Sequence, residues 1–130
     1  MKTILIAEDD TIVGHLYMNI LEAAGFNVQL VSNGFSLLER FEELEPDAVL
    51  VDVMMPGLGG VEAIRELRSS AAGRSVPIIA ITSSFVPQFI KETKSAGANT
   101  ILSKMEVNPK SLVQTLKLFM LPGSEEREAA

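Results

Sequence analysis

The sequence predicts an α/β domain, a doubly wound five-stranded parallel sheet with five helices. Three observations predict it. Short apolar runs recur five times, at Thr3–Ala7, Asn27–Val31, Ala48–Asp52, Val76–Thr82 and Asn99–Ser103. Each run is followed by a stretch whose apolar residues fall at helical spacing, and Gly, Pro or Asn separates the two. Such alternation folds as parallel strands joined by right-handed crossovers, with helices on both faces.

Composition bounds the rest. At 130 residues and 47% hydrophobic the chain is expected to form one core, large enough to stand alone. The net charge is −6 with no basic run, which speaks against direct nucleic-acid binding, since phosphates need clustered Lys and Arg. No cysteine is present, so disulfides and thiolate metal sites are excluded. No apolar run approaches the roughly 18 residues of a membrane span, and the start shows no signal-peptide pattern. A soluble cytoplasmic domain without membrane contact is expected, over residues 1–121, with a polar tail at 122–130 that frays.

In chain order, Thr3–Ala7 is a buried strand ending in Glu8-Asp9-Asp10. The helix over Thr11–Ala24 carries apolar residues at Ile12, Leu16, Ile20 and Ala23, with an Asp to cap its start and Gly25 to stop it. His15 on this helix reads as a solvated or partly packed side chain. Asn33-Gly34 ends the second strand, and Leu37, Leu38, Phe41 and Leu44 form the next apolar face; Glu42, Glu43 and Glu45 read as its solvated end. Ala48-Val49-Leu50-Val51 is a strand buried on both faces that runs directly into Asp52, before Pro56-Gly57 turns the chain. Val61, Ile64 and Leu67 define the third helix, with Glu62, Arg65, Glu66 and Arg68 on its wet side. Pro77 belongs near the start of the fourth strand and Pro87 in the first turn of a helix over Phe85–Ala96, where Phe85, Phe89 and Ile90 read as packing; Gly97 stops that helix. Asn108-Pro109 caps and opens the last helix, whose apolar face is Leu112, Val113, Leu116, Phe119 and Met120.

In an open parallel sheet, ligands bind beyond the carboxyl ends of the strands. The residues delivered there are Glu8, Asp9 and Asp10, then Asp52, then Thr82 and Ser83, then Lys104. Two carboxylates ~5 Å apart at an effective dielectric near 20 repel by about 3 kcal/mol, a cost relieved by a raised pKa or a bound cation. Oxygen ligands without His or Cys suit a hard ion, Mg²⁺ in particular. The same edge lacks a glycine-rich phosphate cradle, which disfavours flavin or nucleotide binding.

This combination resembles the receiver domain of two-component response regulators. It rests on Ile4-Leu5-Ile6-Ala7-Glu8-Asp9-Asp10, Val51-Asp52-Val53-Met54-Met55-Pro56-Gly57, Thr82 thirty residues on and Lys104 fifty-two after Asp52, and it extends from Lys2 to about Met120. The resemblance implies a flavodoxin-like strand order 2-1-3-4-5 and Mg²⁺-dependent phosphorylation of Asp52 by a sensor histidine kinase or phosphotransfer protein. It implies that Asp9, Asp52 and the Met54 backbone carbonyl ligate Mg²⁺, with Glu8 acting through water. Lys104 would pair with the phosphoryl oxygens and Thr82 would donate to one of them. The domain would be a signalling module, not an enzyme, beyond assisting its own phosphorylation and slow autodephosphorylation. Its downstream effector would meet the face built from the fourth helix, fifth strand and fifth helix, through which a homodimer is also allowed.

Two positions depart from the family pattern. Met105 follows Lys104 where proline is usual, so a trans bond and a rearranged loop are expected, with a displaced Lys104 as a consequence. Ile101 stands where many receivers carry a mobile aromatic. Met54 and Ser84 bring no acid or amide to orient water, so slow loss of the phosphoryl group is expected. Two other functions compete. A pseudo-receiver would bind partners without phosphorylation. A dehalogenase-type phosphatase needs Asp-x-Asp after the first strand, a pattern not met at Asp52, which follows the third strand with Met54 two residues on.

Overall fold

The computed structural model describes residues 1–55 and 57–121; the expected tail, and Pro56, lie outside the described residues. The elements are β1 (Thr3–Ala7), α1 (Thr11–Ala23), β2 (Asn27–Val31), α2 (Gly34–Leu44), β3 (Ala48–Asp52), α3 (Gly60–Ser69), β4 (Ile78–Thr82), α4 (Pro87–Ala96), β5 (Thr100–Ser103) and α5 (Pro109–Phe119). All strand pairs are parallel and the order is β2-β1-β3-β4-β5. The chain therefore winds first to one side of β1 and then to the other, and the reversal lies between β1 and β3.

Alternation along the strands divides the core in two. Leu5, Ala7, Val49, Val51, Ile78 and Ala80 face α2, α3 and α4 through Leu37, Phe41, Ile64, Leu67 and Ala96. Ile4, Ile6, Leu50, Ile79 and Ile81 face α1 and α5 through Tyr17, Leu21, Leu112 and Leu116. Every residue of β3 and β4 is buried, which is why these strands read as unbroken apolar runs. Each fully buried Leu or Ile contributes about 1.5–3 kcal/mol, so the sheet is a rigid platform for whatever its carboxyl edge carries.

The structure corrects four readings. The buried face of α1 is Gly14, Tyr17 and Leu21, whereas Ile12, Leu16 and Ala23 are exposed and Ile20 is half-buried. Ile12 is 84% exposed. Both sets recur at helical spacing, and spacing alone does not say which one meets the sheet. Arg68 leaves the wet side of α3. Its guanidinium donates to the carbonyls of Gly73 (2.8 Å), Val76 (2.6 Å) and Gly97 (2.8 and 3.0 Å) and to Asn99 Oδ1 (2.9 Å). A planar five-donor fork suits such convergent acceptors. The third correction is that α4 opens at Pro87, so Phe85 precedes the helix and is 52% exposed instead of packed. Finally, β4 opens at Ile78, because Pro77 has no N–H to give; its carbonyl still accepts from Val49 N at 2.9 Å.

The caps follow the sequence. Asp10 accepts from the N–H groups of Ile12 and Val13 at 3.0 and 3.1 Å, and Asn108 with Ser111 closes a reciprocal capping box on α5. Gly25 takes φ 97° after the last turn of α1, a conformation that favours glycine.

Candidate functional site

Asp52 is the last residue of β3, beside the point where strand order reverses, and it is 2% exposed. Its Oδ1 accepts from the N–H of Met54 at 2.9 Å, a local turn that fixes the carboxylate, and Oδ2 faces Lys104 Nζ at 3.0 Å. A Cβ on Gly60 would come 2.3 Å from the Cα of Val53, so the start of α3 lies directly on the backbone that carries Asp52. Only glycine permits that approach.

Glu8 follows β1 and is as buried as Asp52. Its Oε2 accepts from Asp10 N at 3.2 Å. Its Oε1 lies 2.9 Å from Lys104 Nζ, yet in a direction that makes no hydrogen bond, which leaves a buried carboxylate oxygen short of a donor. Burial first, and the contact with Asp52 second, push the Glu8 carboxyl up to about 7 in spite of the lysine. Burial works against the Lys104 ammonium, but the negative charges of Glu8 and Asp52 beside it outweigh that and hold its pKa above the ordinary lysine value.

Asp9 is exposed, and its carboxylate completes a trio with Glu8 and Asp52 whose oxygens lie within 4.8 Å of one another. Crowded carboxylate oxygens, one of them buried and short of a donor, fit a hard divalent cation of the Mg²⁺ type. Met54, the residue expected to offer a carbonyl, contributes its N–H to Asp52 and leaves its side chain half exposed.

Thr82 ends β4 fully buried, and its Oγ1 accepts from Ser84 N (3.0 Å) while donating to Ser84 O (3.3 Å). Lys104 N donates to Thr82 O at 2.9 Å, so both polar residues ride on one ladder. Of the residues expected at this edge, Glu8, Asp9, Asp52 and Lys104 are brought together; the Thr82 hydroxyl is turned to Ser84, Ser83 is exposed, and the Asp10 carboxylate serves the α1 cap. His15 lies outside the site, its Nδ1 2.8 Å from Thr11 O.

The Met105 substitution has the local effect expected and not the distal one. No cis bond occurs among the described residues, and the loop closes as a turn with Glu106 N and Val107 N both on Ser103 O. Lys104 is not displaced; it reaches Asp52 and Glu8 directly.

One feature of the site was not read from the sequence. Large apolar side chains are exposed on the segments that follow the strands: Ile12 and Leu16 on α1, Phe35 on α2, Met54 after β3, Phe85 and Val86 after β4, and Met105 (87% exposed) after β5. Contiguous exposed apolar residues mark interaction surfaces. The signal was present, since each of these except Leu16 is an apolar residue within five positions of a strand's carboxyl end.

Fold and site together define a class: a doubly wound domain with a buried aspartate, flanking acids and a lysine at its switch point. The chain belongs to the response regulator receiver domain family, which matches residues 4–117, and is thereby a module of two-component signalling. It is 26% identical over 119 residues to the polar-differentiation response regulator DivK of Brucella anthropi, covering 92% of this chain and 96% of that one. It is 28% identical over 125 residues to the DNA-binding response regulator MtrA of Mycolicibacterium paratuberculosis, covering 96% of this chain but about half (54%) of that protein. Among solved structures it is similar to the receiver domain of sensor histidine kinase PA1611 from Pseudomonas aeruginosa, which holds a magnesium ion in its active-site cleft. The TM-score is 0.85 at 31% identity, over 92% of this chain and 97% of that one. Among the described residues no helix is long and apolar enough to cross a membrane.

Proposed function

We propose that this domain accepts a phosphoryl group on Asp52 from a histidine kinase or phosphotransfer protein and switches the binding of an effector. The observation that carries the reading is the buried Asp52 carboxylate, held 3.0 Å from Lys104 Nζ and within 4.8 Å of the Glu8 and Asp9 oxygens.

In the reaction an Asp52 oxygen attacks phosphorus in line, the P–N bond of the donor phosphohistidine breaks, and the imidazole leaves with its electron pair. Asp9 and Asp52, with the Met54 carbonyl, would hold Mg²⁺ directly and Glu8 through water. Bound there, the ion would supply positive charge to the phosphoryl group. Lys104 exchanges one carboxylate oxygen for a phosphoryl oxygen, an exchange that keeps its charge paired throughout. Thr82 turns its hydroxyl from Ser84 to the phosphoryl group. Ile12 and Leu16 are exposed on the first two turns of α1, the helix that follows the acids, which suits docking of a helical donor. Output, and any pairing of two copies, would use the α4-β5-α5 face, in a cytoplasmic signalling module of residues 1–121 that acts on partners and not on nucleic acid. Met54 and Ser84 offer no acid or amide to a water, so the acyl phosphate should decay slowly.

Intact mass after incubation with Mg²⁺ and acetyl phosphate tests the reading. One phosphoryl group is expected on the wild type and none on Asp52→Asn; equal modification of both, or of neither, overturns it. The pseudo-receiver reading draws on Met105 and Ile101; the 3.0 Å approach of Lys104 to Asp52 weighs against the part that rests on Met105.

A further inference from the structure

We propose that Gly34 is a positioning residue for the site: it seats the loop between β3 and α3 on the start of α2, and the seated loop fixes Met54 beside Asp52. The inference rests on the reading of Asp52 as phosphoacceptor, with the Met54 carbonyl among the ligands of Mg²⁺.

Residues 53–59 leave β3 at Asp52 and enter α3 at Gly60. Hydrogen bonds hold the two ends of this loop: Met54 N on Asp52 Oδ1 at 2.9 Å, Gly60 N on Val53 O at 3.3 Å and Ala63 N on Gly59 O at 2.9 Å. Among the described residues, Met55, Gly57 and Leu58 make none. The middle of the loop is therefore placed by contact. Met55 is buried in the core beneath it, and Leu58 packs against the same core. A second support comes from α2. A Cβ on Gly34 would collide with the Leu58 carbonyl oxygen, with the carbonyl carbon only 3.1 Å away. Gly34 carries a hydrogen in its place, so the Leu58 carbonyl abuts a Cα–H at the positive end of a helix, a favourable contact. Next to it, the Phe35 ring stands 4.0 Å from where a Cβ on Gly57 would be.

The helix itself does not ask for glycine at this position. Asn33 supplies the α2 cap, and the glycines with positive φ are Gly25, Gly57 and Gly97. A first helical residue of ordinary φ is free to carry a side chain. What requires glycine at 34 is the approach of the loop. A methyl group there drives the Leu58 carbonyl away by most of an ångström. Gly60 already lies tight against Val53 on the other side, so the displacement runs back toward Met54.

The test compares the wild type with Gly34→Ala, Phe35→Ala and Gly59→Ala. The last adds a methyl to the same loop, where it meets no atom closer than 3.9 Å. First, with no metal and no phosphodonor, hydrogen exchange of the Met54 amide is measured against the amides of β4. Their ratio should rise several-fold in Gly34→Ala, whereas a general loss of stability speeds both alike. An unchanged ratio overturns the seat. Second, Mg²⁺ is titrated while amide shifts are followed. The half-saturating concentration should rise about tenfold in Gly34→Ala, less in Phe35→Ala, and stay at the wild-type value in Gly59→Ala. Labelling by acetyl phosphate should slow in Gly34→Ala at low Mg²⁺ and recover at saturation. Wild-type Mg²⁺ affinity in Gly34→Ala overturns the assignment, as does an equal loss in Gly59→Ala. Phe35 is 66% exposed, so Phe35→Ala decides the matter if Gly34→Ala does not fold: wild-type exchange and affinity in it overturn the seat. A wild type that gains no phosphoryl group overturns the acceptor reading, while Met54 exchange still decides the role of Gly34.

Discussion

Replacing Glu8 by Gln should remove a pH dependence of stability that the wild type carries through the weakly acidic range. In the folded chain the Glu8 carboxyl sits at about 7, against an ordinary value of 4.5. The native state therefore holds this proton more tightly than the unfolded state does. Its stabilising contribution is complete below about pH 4.5 and is lost as the pH rises through 7. At about 1.4 kcal/mol for each pH unit, that loss comes to ~3 kcal/mol. Urea denaturation at a series of pH values reads it directly. With an m-value near 2 kcal/mol/M the wild-type midpoint should fall by about 1.5 M between pH 4.5 and 7 from this group alone. Glu8→Gln keeps an acceptor for Asp10 N and cannot titrate, so its profile should be flatter by that amount. Adding Mg²⁺ favours the ionised carboxylate and should flatten the wild-type profile as well. An identical pH slope in wild type and Glu8→Gln would refute the reasoning, because the proton would then be bound elsewhere.

Three further outcomes are expected. Lys104→Met leaves Glu8 and Asp52 buried face to face without a cation and should cost ~3–5 kcal/mol in urea denaturation, much of it recovered by Mg²⁺. Arg68→Lys keeps the charge but loses the fork that serves Gly73, Val76, Gly97 and Asn99; with carbonyls left unpaired, thermal unfolding should drop by about 10 °C. Leu16→Ser, on the outer face of α1, should move stability by less than ~0.5 kcal/mol. It should slow phosphoryl transfer from a histidine kinase while leaving transfer from acetyl phosphate unchanged.

Much of the fold was legible because strand and helix signals differ in period, and the two unbroken apolar runs, Ala48–Val51 and Ile78–Ile81, pointed to strands covered on both sides. The site was legible for a related reason: in a parallel sheet every strand delivers its last residue to the same edge, so Glu8, Asp52, Thr82 and Lys104 had to meet there. What the sequence hid were choices among equals. Helix α1 has two apolar stripes, and only the sheet selects between them. Arg68 sits in a polar phase of α3, and nothing local reveals that Gly97 and Val76 lie under its guanidinium. Phe85 reads as packing only if the helix includes it, and the helix opens two residues later, at Pro87.

The two faces of α1 have a consequence for how such a chain tolerates change. Positions 14, 17 and 21 answer to the sheet, and positions 12, 16 and 23 answer mainly to solvent or to whatever binds there. In a saturation mutagenesis scan, abundance and partner recognition should therefore oscillate along the helix with the same period and out of phase. The gap between the two waves measures how far the choice of partner can drift without disturbing the fold.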